Sequence, residues 1–209
     1  MSEDPALHRL PSAPLGPSLT DAVAAQLREC CAQPMDFAAR IRSARQAISR
    51  AVVEGCDLDD MWRRADPAAR LPGGYCRYQV VTDETWGFTV VVLLWEPGSC
   101  TPIHDHDTWC VFGLLAGGLE ITNYGVVDDD DGGLILLREK NRELLRAGLL
   151  GDNRDPDTEV HRVRNTGAER AISLHVYGAD LTRRTLFKGR GIRVEGKRGC
   201  RAFGNAPAY

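Results

Sequence analysis

The chain has 209 residues with a formal net charge of −3 at pH 7, and 43% of its residues are hydrophobic. This length and composition are typical of one globular domain with its own hydrophobic core. The charge balance and the lack of a basic stripe argue against general nucleic-acid binding. No apolar run approaches the roughly 18 residues of a membrane span, and residues 1–20 lack a signal-peptide pattern. We therefore expect a cytoplasmic protein that binds neither nucleic acid nor membrane.

The seven cysteines do not form a disulfide pattern. Their number is odd, Cys30 and Cys31 are adjacent, and no CxxC occurs. Neither a disulfide framework nor a zinc knuckle is therefore expected. Six of the cysteines are interpreted as ordinary reduced or buried thiols, and the position of Cys110 sets it apart.

The first third of the chain is predicted to be helical after a Pro-rich, poorly ordered arm at residues 1–18. From Leu19 to about Arg64, apolar residues recur at three-to-four spacing, with Thr20 and Asp21 at the start of the pattern. Gly55 ends the second helical segment, and a shorter helix follows at residues 57–64. We expect the helical segment, residues 19–66, to pack on the outside of a β domain formed by residues 67–209.

From residue 67 onward the sequence consists of short β-rich segments between turn residues. The predicted strands cover residues 75–82, 88–95, 101–105, 109–115, 119–124, 134–137, 142–145, 160–165, 171–177 and 183–187. The acidic run at residues 128–131 is interpreted as a solvated loop. Many short strands at roughly 8–12-residue spacing predict a sandwich or a small barrel.

Four of the five histidines lie in this β-rich part. His104 and His106 are one residue apart in PIHDHDTW, so on a strand both side chains would lie on one face. Such a pair offers half of a transition-metal site, and His161 in EVHRVRN is the natural third ligand. An HxH pair by itself is more often a surface or hydrogen-bonded pair, and the surrounding residues decide between these interpretations.

The residues around the histidines resemble the two sequence motifs of the cupin family. Gly98 is followed by five residues, the HxH pair, three residues, Cys110, six residues and Gly117, which is the spacing of the first motif. The proline, His161 and the final asparagine of PDTEVHRVRN match the second motif, with Thr158 in place of its usual glycine. The resemblance implies a mainly β fold: a cupin barrel, or double-stranded β-helix, with the N-terminal helices packed outside.

Cys110 stands where the first cupin motif normally has a glutamate ligand. Three neutral imidazoles without a carboxylate leave more positive charge on a bound metal, which favours an anionic ligand such as a thiolate. The open positions suit a substrate and dioxygen, and they favour iron(II) over zinc. The spacing itself does not name the metal, since three histidines also hold zinc in hydratases.

With that cysteine, the chain resembles the thiol dioxygenase branch of the cupins, typified by cysteine dioxygenase, over roughly residues 75–187. The family's Ser-x-His-x-Tyr segment is Ser173, His175 and Tyr177 here, and alternation puts these side chains on one face. The resemblance implies a hydrogen-bonded chain that ends at the Tyr177 hydroxyl, beside the thiol substrate. It also implies a thioether between Cys110 and Tyr177; a buried thiol that fills barrel space is the alternative.

The substrate is indicated by a second set of residues. Tyr75 and Arg77 match a strand that faces the metal in the family, where an arginine is typical of cysteine dioxygenases and a glutamine of 3-mercaptopropionate dioxygenases. Arg77 would pair with a substrate carboxylate. The short HDHDTW spacing and Gly178 resemble bacterial mercaptopropionate-type members instead. Arg183 or Arg184 would add a second carboxylate contact, which suits mercaptosuccinate.

These observations lead to one hypothesis and two alternatives. The chain is interpreted as an iron(II)-dependent thiol dioxygenase that converts L-cysteine to cysteine sulfinic acid, with 3-mercaptopropionate or mercaptosuccinate as alternative substrates. Its partners would be the small thiol and dioxygen, and it would be a monomer or a small homo-oligomer. The alternative from another class is a metal-binding cupin that acts as an isomerase, a hydrolase or a ligand-binding regulator.

Overall fold

The computed structural model describes residues 19–32, 36–54, 58–63, 65, 70–71, 73–106, 108–130, 133–152, 160–178 and 191–195. Its helices are α1 (Leu19–Cys31), α2 (Phe37–Glu54) and α3 (Leu58–Arg63). Its strands are β1 (Tyr75–Asp83), β2 (Phe88–Trp95), β3 (Cys110–Ala116), β4 (Gly118–Asp130), β5 (Leu134–Arg146), β6 (Leu150–Asp152), β7 (Val160–Arg164), β8 (Ala171–Tyr177) and β9 (Gly191–Val194). In the described part of the chain, no helix is long and apolar enough to cross a membrane.

The helix α2 packs one apolar face on the outside of strand β3. Its N-terminus is capped by Asp36, whose carboxylate accepts a hydrogen bond from the backbone N–H of Ala39 at 2.7 Å. The buried residues of α2 recur every three or four positions: Ile41, Ala44, Ala47, Ile48 and Ala51. The contact with β3 is close, since a Cβ atom added at Gly113 would lie 2.4 Å from Cγ2 of Ile48.

The strands form two sheets. The first has the order β1-β2-β8-β3-β6 and is antiparallel throughout, while the second has the order β7-β4-β5-β9, with β5 and β9 parallel. Strands that are neighbours in space, such as β2, β8 and β3, are distant in sequence, as a double-stranded β-helix requires. The prediction of a mainly β, cupin-type barrel with helices packed outside is confirmed.

Strand β8 shows how the first sheet separates two cores. Ile172, Leu174 and Val176 pack in the core that includes the helices. The alternate residues face the space between the two sheets, where Tyr177 packs with residues of both. The predicted functional side chains of β8 therefore lie in the barrel interior, away from the helices.

Two strand predictions were wrong. Residues 101–105 belong to the loop between β2 and β3, where Pro102 has no N–H for a ladder, and an isolated bridge joins His104 to His161. The segments 134–137 and 142–145 are parts of one strand, β5, because the exposed polar residues between them still pair with β4. Strands β6 and β9 were not predicted, and residues 128–130, interpreted as part of a solvated loop, instead continue β4 and pair with β5. The arm at residues 1–18, Gly55 and the strand at residues 183–187 lie outside the described residues.

Candidate metal centre and active site

The three predicted metal ligands converge between the two sheets. The ligand nitrogens of His104, His106 and His161 all lie within 4.8 Å of one another. The Nε2 atoms of His104 and His106 are 3.1 Å apart. Imidazole nitrogens that bind one divalent metal at about 2.1 Å stand about 3 Å from each other. The three side chains therefore fit a shared metal ion.

The backbone around His104 sets its orientation. The N–H groups of His104 and His161 each donate to the carbonyl of the other residue at 2.9 Å. On the ring, Nδ1–H of His104 donates to the carbonyl of Pro102 at 3.0 Å, which leaves the Nε2 lone pair for a metal. The expectation that His104 and His106 share the face of a strand was wrong. They converge because a loop, pinned to β7, turns both rings inward.

Burial favours the neutral, metal-binding form of His104 and His106. Burial lowers the pKa of His104 and of His106 well below the ordinary value, and the nearby His161 lowers the pKa of both further. For His104, the charge of Arg77 acts in the same direction. Because metal ligation requires neutral imidazoles, a metal would find these donors already deprotonated.

A chain of hydrogen bonds runs along β8 toward the metal centre. The indole Nε1–H of Trp95 donates to Oγ of Ser173 at 2.9 Å, and that hydroxyl lies 2.8 Å from Nε2 of His175. Nδ1 of His175 lies 3.3 Å from the hydroxyl oxygen of Tyr177. Since an indole can only donate, the Ser173 hydroxyl accepts from Trp95, and a neutral His175 ring carries its proton either on Nδ1, facing Tyr177, or on Nε2, facing Ser173. In the tautomer with the proton on Nδ1, His175 donates to the Tyr177 oxygen, and the Tyr177 proton then points away from His175.

Cys110 lies beside Tyr177 at the end of that chain. The two residues are partners in the β3–β8 register, and Sγ of Cys110 is 3.8 Å from Nδ1 of His175. Burial raises the pKa of the Cys110 thiol, while a hydrogen bond with Tyr177 lowers it. The ring of His106 is 4.9 Å from that of Tyr177, so the metal ligands and the hydrogen-bonded chain meet. The neighbours that the predicted thioether requires are in place, and the crosslink itself stays a prediction.

Tyr75 and Arg77 are buried on the interior side of β1. Tyr75 is 3% exposed and stacks on Trp95 with ring centroids 5.0 Å apart. Arg77 is 3% exposed, and its charge reaches His104. Arg77 is not among the side chains that line the cavity formed by the described residues. Its predicted role as a carboxylate anchor stays a prediction, and Arg184 lies outside the described residues.

A cavity of about 260 Å³ adjoins the three histidines, Cys110, His175 and Tyr177. Apolar side chains from β3, β4, β5 and β6 form much of its wall, together with polar residues that the sequence analysis missed: Arg45, Asn123, Glu143 and Asp152. Trp95 was also missed as a hydrogen-bond donor. It ends a strand that is apolar apart from Thr89, so no pattern distinguished it from a core residue.

Asn165, the last residue of the second motif, has a structural role. Its Nδ2 donates to the carbonyls of Trp95 at 3.3 Å and Glu169 at 2.8 Å, and its Oδ1 accepts from the N–H of Gly167 at 3.0 Å. Its backbone also pairs with residues of the loop that carries His104. Asn165 therefore fixes the turn that positions the metal-binding segments.

Comparisons with known proteins agree with this geometry. The family model "Cysteine dioxygenase type I" matches residues 60–190. Cysteine dioxygenase type 1 of Rattus norvegicus is 32% identical over 92 residues, which cover 43% of this chain and 44% of the relative. The Bos taurus protein of that name is 33% identical over the same shares. The match thus spans less than half the length of these relatives.

Among solved structures, one of oxalate oxidase is similar, with 20% identity and a TM-score of 0.41 over 52% of this chain and 53% of the other. At those values the likeness says nothing about the reaction. The family model, in contrast, covers more than half of the chain and includes all three histidines, Cys110 and the Ser173–Tyr177 segment. The chain therefore belongs to the cysteine dioxygenase type I family.

Proposed function

We propose that the protein is an iron(II)-dependent thiol dioxygenase with L-cysteine as its first-choice substrate. Both atoms of dioxygen would be added to the thiol sulfur to give a sulfinic acid, so sulfur loses four electrons and dioxygen accepts them. The observation that carries the proposal is the position of the three-histidine cluster, which lies beside Cys110 and Tyr177 in one cavity. Family membership supports the same class of reaction.

The donor set fits iron(II) with open positions for small ligands. His104, His106 and His161 would hold it as neutral imidazoles, without a carboxylate. Iron(II) bound there supplies the redox chemistry that activates dioxygen toward a thiolate. The protein's own residues are left to bind the thiol, to orient it and to exclude water.

Tyr177 is the residue best placed to act on the reacting atoms. With Nδ1–H of His175 donating to its oxygen, the Tyr177 hydroxyl, which also hydrogen-bonds Cys110, would turn its proton toward a thiolate or toward oxygen charge that develops during the reaction. The Ser173 hydroxyl and the Trp95 indole fix the His175 ring behind it. A hydroxyl that is oriented before the reaction needs little reorganisation, which is the main source of such stabilisation.

The cavity favours a small thiol. Its volume of about 260 Å³ lies below the roughly 300–1,000 Å³ of pockets that enclose drug-sized ligands. Arg77, which is buried on strand β1 beside β2, would pair with the substrate carboxylate and orient the sulfur. 3-Mercaptopropionate and mercaptosuccinate carry the same two groups, and they are the alternatives to cysteine.

The experiment is oxygen uptake by anaerobically iron-loaded protein, with cysteine, 3-mercaptopropionate, mercaptosuccinate and cysteamine offered in parallel. We expect one molecule of dioxygen consumed per molecule of sulfinate, identified by mass, with a carboxylated thiol as the best substrate. The His161→Ala variant is the control and should neither retain iron nor turn over. An iron-loaded protein that consumes no dioxygen with any of the four thiols would leave a metal-binding cupin of another class.

A further inference from the structure

One wall of the cavity carries an ion pair that joins a helix to the barrel. Arg45 lies on α2, and Asp152 is the last residue of β6. Nη1 of Arg45 donates a hydrogen bond to Oδ2 of Asp152, and both residues line the cavity. The side chain of Asp152 is 13% exposed and that of Arg45 is 39% exposed. The carboxylate is therefore the more buried member of the pair.

The charge of Asp152 reaches the reactive part of the cavity. Asp152 pairs with Val111 in the β3–β6 register, so its backbone lies one residue along β3 from Cys110, whose side chain is on the other face of the sheet. Burial raises the pKa of the Cys110 thiol most, a hydrogen bond with Tyr177 lowers it, and the negative charge of Asp152 adds a smaller increase. Cys110 in turn contacts His175 and lies beside Tyr177. A charge that acts on the Cys110 sulfur also acts on a ligand held next to it.

The proposed substrates would meet this charge as anions. A carboxylated thiol binds as a thiolate with a carboxylate, and like charges placed close together in a partly buried site cost binding free energy. The second carboxylate on the cavity wall, Glu143, accepts a hydrogen bond from Nδ2 of Asn123 at 3.2 Å. Among the described lining residues, Arg45 is the arginine whose positive charge offsets these two carboxylates.

We propose that Arg45 is a specificity-determining residue, which lets the cavity accept anionic thiols by neutralising Asp152 on its wall. The proposal rests on the proposed dioxygenase function. Arg45 acts through Asp152 and needs no contact of its own with the substrate. Removal of the Arg45 charge would then weaken the binding of carboxylated thiols. The metal ligands and Tyr177 would stay in place.

The test is a charge-rescue cycle in iron-loaded protein, with Arg45→Gln, Asp152→Asn and the double variant. Arg45→Gln should raise KM for cysteine and 3-mercaptopropionate about tenfold, with kcat little changed and a smaller effect on cysteamine, which lacks the carboxylate. Added salt should reduce the increase, because the cavity is partly open to solvent. The double variant should return KM to within about twofold of the wild type, since both charges are gone. Arg42→Gln, an exposed arginine on the same helix, is the matched control and should leave KM unchanged.

Two results would overturn the proposal. If the double variant is as impaired as Arg45→Gln, then Arg45 contacts the substrate or has a purely structural role. If cysteamine is affected as strongly as cysteine, the charge of Asp152 is not the cause. Asp152→Asn alone, which nearly preserves shape, keeps the test decisive if Arg45→Gln does not fold. It should leave KM for the anionic thiols unchanged or lower it, and a higher KM would contradict the proposal.

A binding measurement separates this proposal from the proposed function. The Kd of 3-mercaptopropionate for the iron-loaded protein, measured anaerobically by calorimetry, does not depend on turnover. It should follow the same order across the four proteins as KM does. If the Kd values follow the expected order but no protein consumes oxygen, the dioxygenase reaction is rejected and the proposed role of Arg45 in binding stands. Equal Kd values in an enzyme that consumes oxygen would keep the dioxygenase function and reject the role of Arg45.

Discussion

At the scale of single residues, the proposed preference for a carboxylated thiol rests first on Arg77. Its guanidinium is buried and acts electrostatically on His104, which places a permanent positive charge near the metal ligands. Such a charge favours a ligand with a carboxylate, and the planar fork of arginine also fixes that carboxylate in direction. Arg77 thus links the strand β1 to the proposed selectivity for carboxylated thiols.

Arg77→Ala should lower kcat/KM more for thiols that carry a carboxylate than for thiols that lack one. We expect kcat/KM for cysteine to fall at least about 30-fold, because loss of one member of a buried charged contact costs on the order of 2–5 kcal/mol. The loss with cysteamine should be markedly smaller. Steady-state oxygen uptake measures both, with Arg193→Ala on the exposed side of β9 as the control. Equal losses for the two thiols would show that Arg77 does not anchor the carboxylate.

His175 is buried as a neutral ring within the hydrogen-bonded chain. Burial lowers the pKa of His175 from 6.5 to about 3, and the nearby His161 adds to the effect. Between pH 6.5 and about pH 3, His175 is therefore protonated in the unfolded state but remains neutral in the folded state. The resulting stability is fully present above pH 6.5 and is lost as the pH falls toward the folded pKa.

Acidification of the metal-free protein should therefore lower its free energy of unfolding, in part through His175. Between pH 7 and pH 5 this residue alone should cost about 2 kcal/mol of the free energy of unfolding. His175→Gln should remove that part of the slope, while the contributions of His104 and His106 remain. Urea unfolding at the two pH values measures the difference. The same pH slope in the variant and the wild type would mean that His175 already carries a proton at neutral pH.

At the scale of elements, the contact between α2 and β3 joins the helices to the barrel. Gly113 faces the helix, and an added Cβ would lie 2.4 Å from Ile48 and 2.9 Å from Leu150. Strand β6, which carries Asp152, pairs with β3 at this same point. The approach of α2 therefore also determines where Arg45 meets Asp152.

Gly113→Ala should destabilise the protein by about 1–3 kcal/mol, because a methyl group has no space between the helix and the strand. Gly118→Ala is the matched control, since its nearest neighbour would be the carbonyl oxygen of Leu145 at an ordinary 3.5 Å. We expect that variant to change stability by less than about 0.5 kcal/mol. Thermal and urea unfolding of both variants provide the measurement. Similar effects from the two substitutions would contradict close packing at β3.

Across the whole molecule, the site is assembled from parts that lie on different sheets. Ser173, His175 and Tyr177 belong to the first sheet, His161 belongs to the second, and His104 lies on the loop that bridges to it. A metal ion held by the three histidines would therefore fix that loop to β7. Metal binding and the stability of the barrel should be coupled.

Divalent metal should raise the melting temperature of the protein. With iron(II) at about 100 times its Kd, added anaerobically, linkage gives about 2.7 kcal/mol, or about 5–10 °C for a chain of this size. The increase should be much smaller in His161→Ala. In His175→Gln it should persist, because His175 is not among the predicted ligands. If the metal raises the melting temperature of His161→Ala as much as that of the wild type, the metal binds at another site.

The sequence alone determined the features that depend on spacing along the chain. The strand β8, the alternation that places Ser173, His175 and Tyr177 on one side, and the neighbours Cys110 and Tyr177 followed from local patterns and motif resemblance. The three histidines were also identified, although by an incorrect geometry. Alternation and motif spacing are local properties, so they can be read before the chain folds.

The tertiary structure decided the contacts that join distant segments. Trp95 and Ser173 are 78 residues apart, and Arg45 and Asp152 are 107 apart. No local period marks such pairs, because each residue on its own resembles a core aromatic or a surface charge. His104 and His106 converge for the same reason: a long-range pairing with His161, rather than a strand of their own, directs the loop inward. The sequence therefore indicated which residues form the candidate site, and long-range packing determined its walls and their charge.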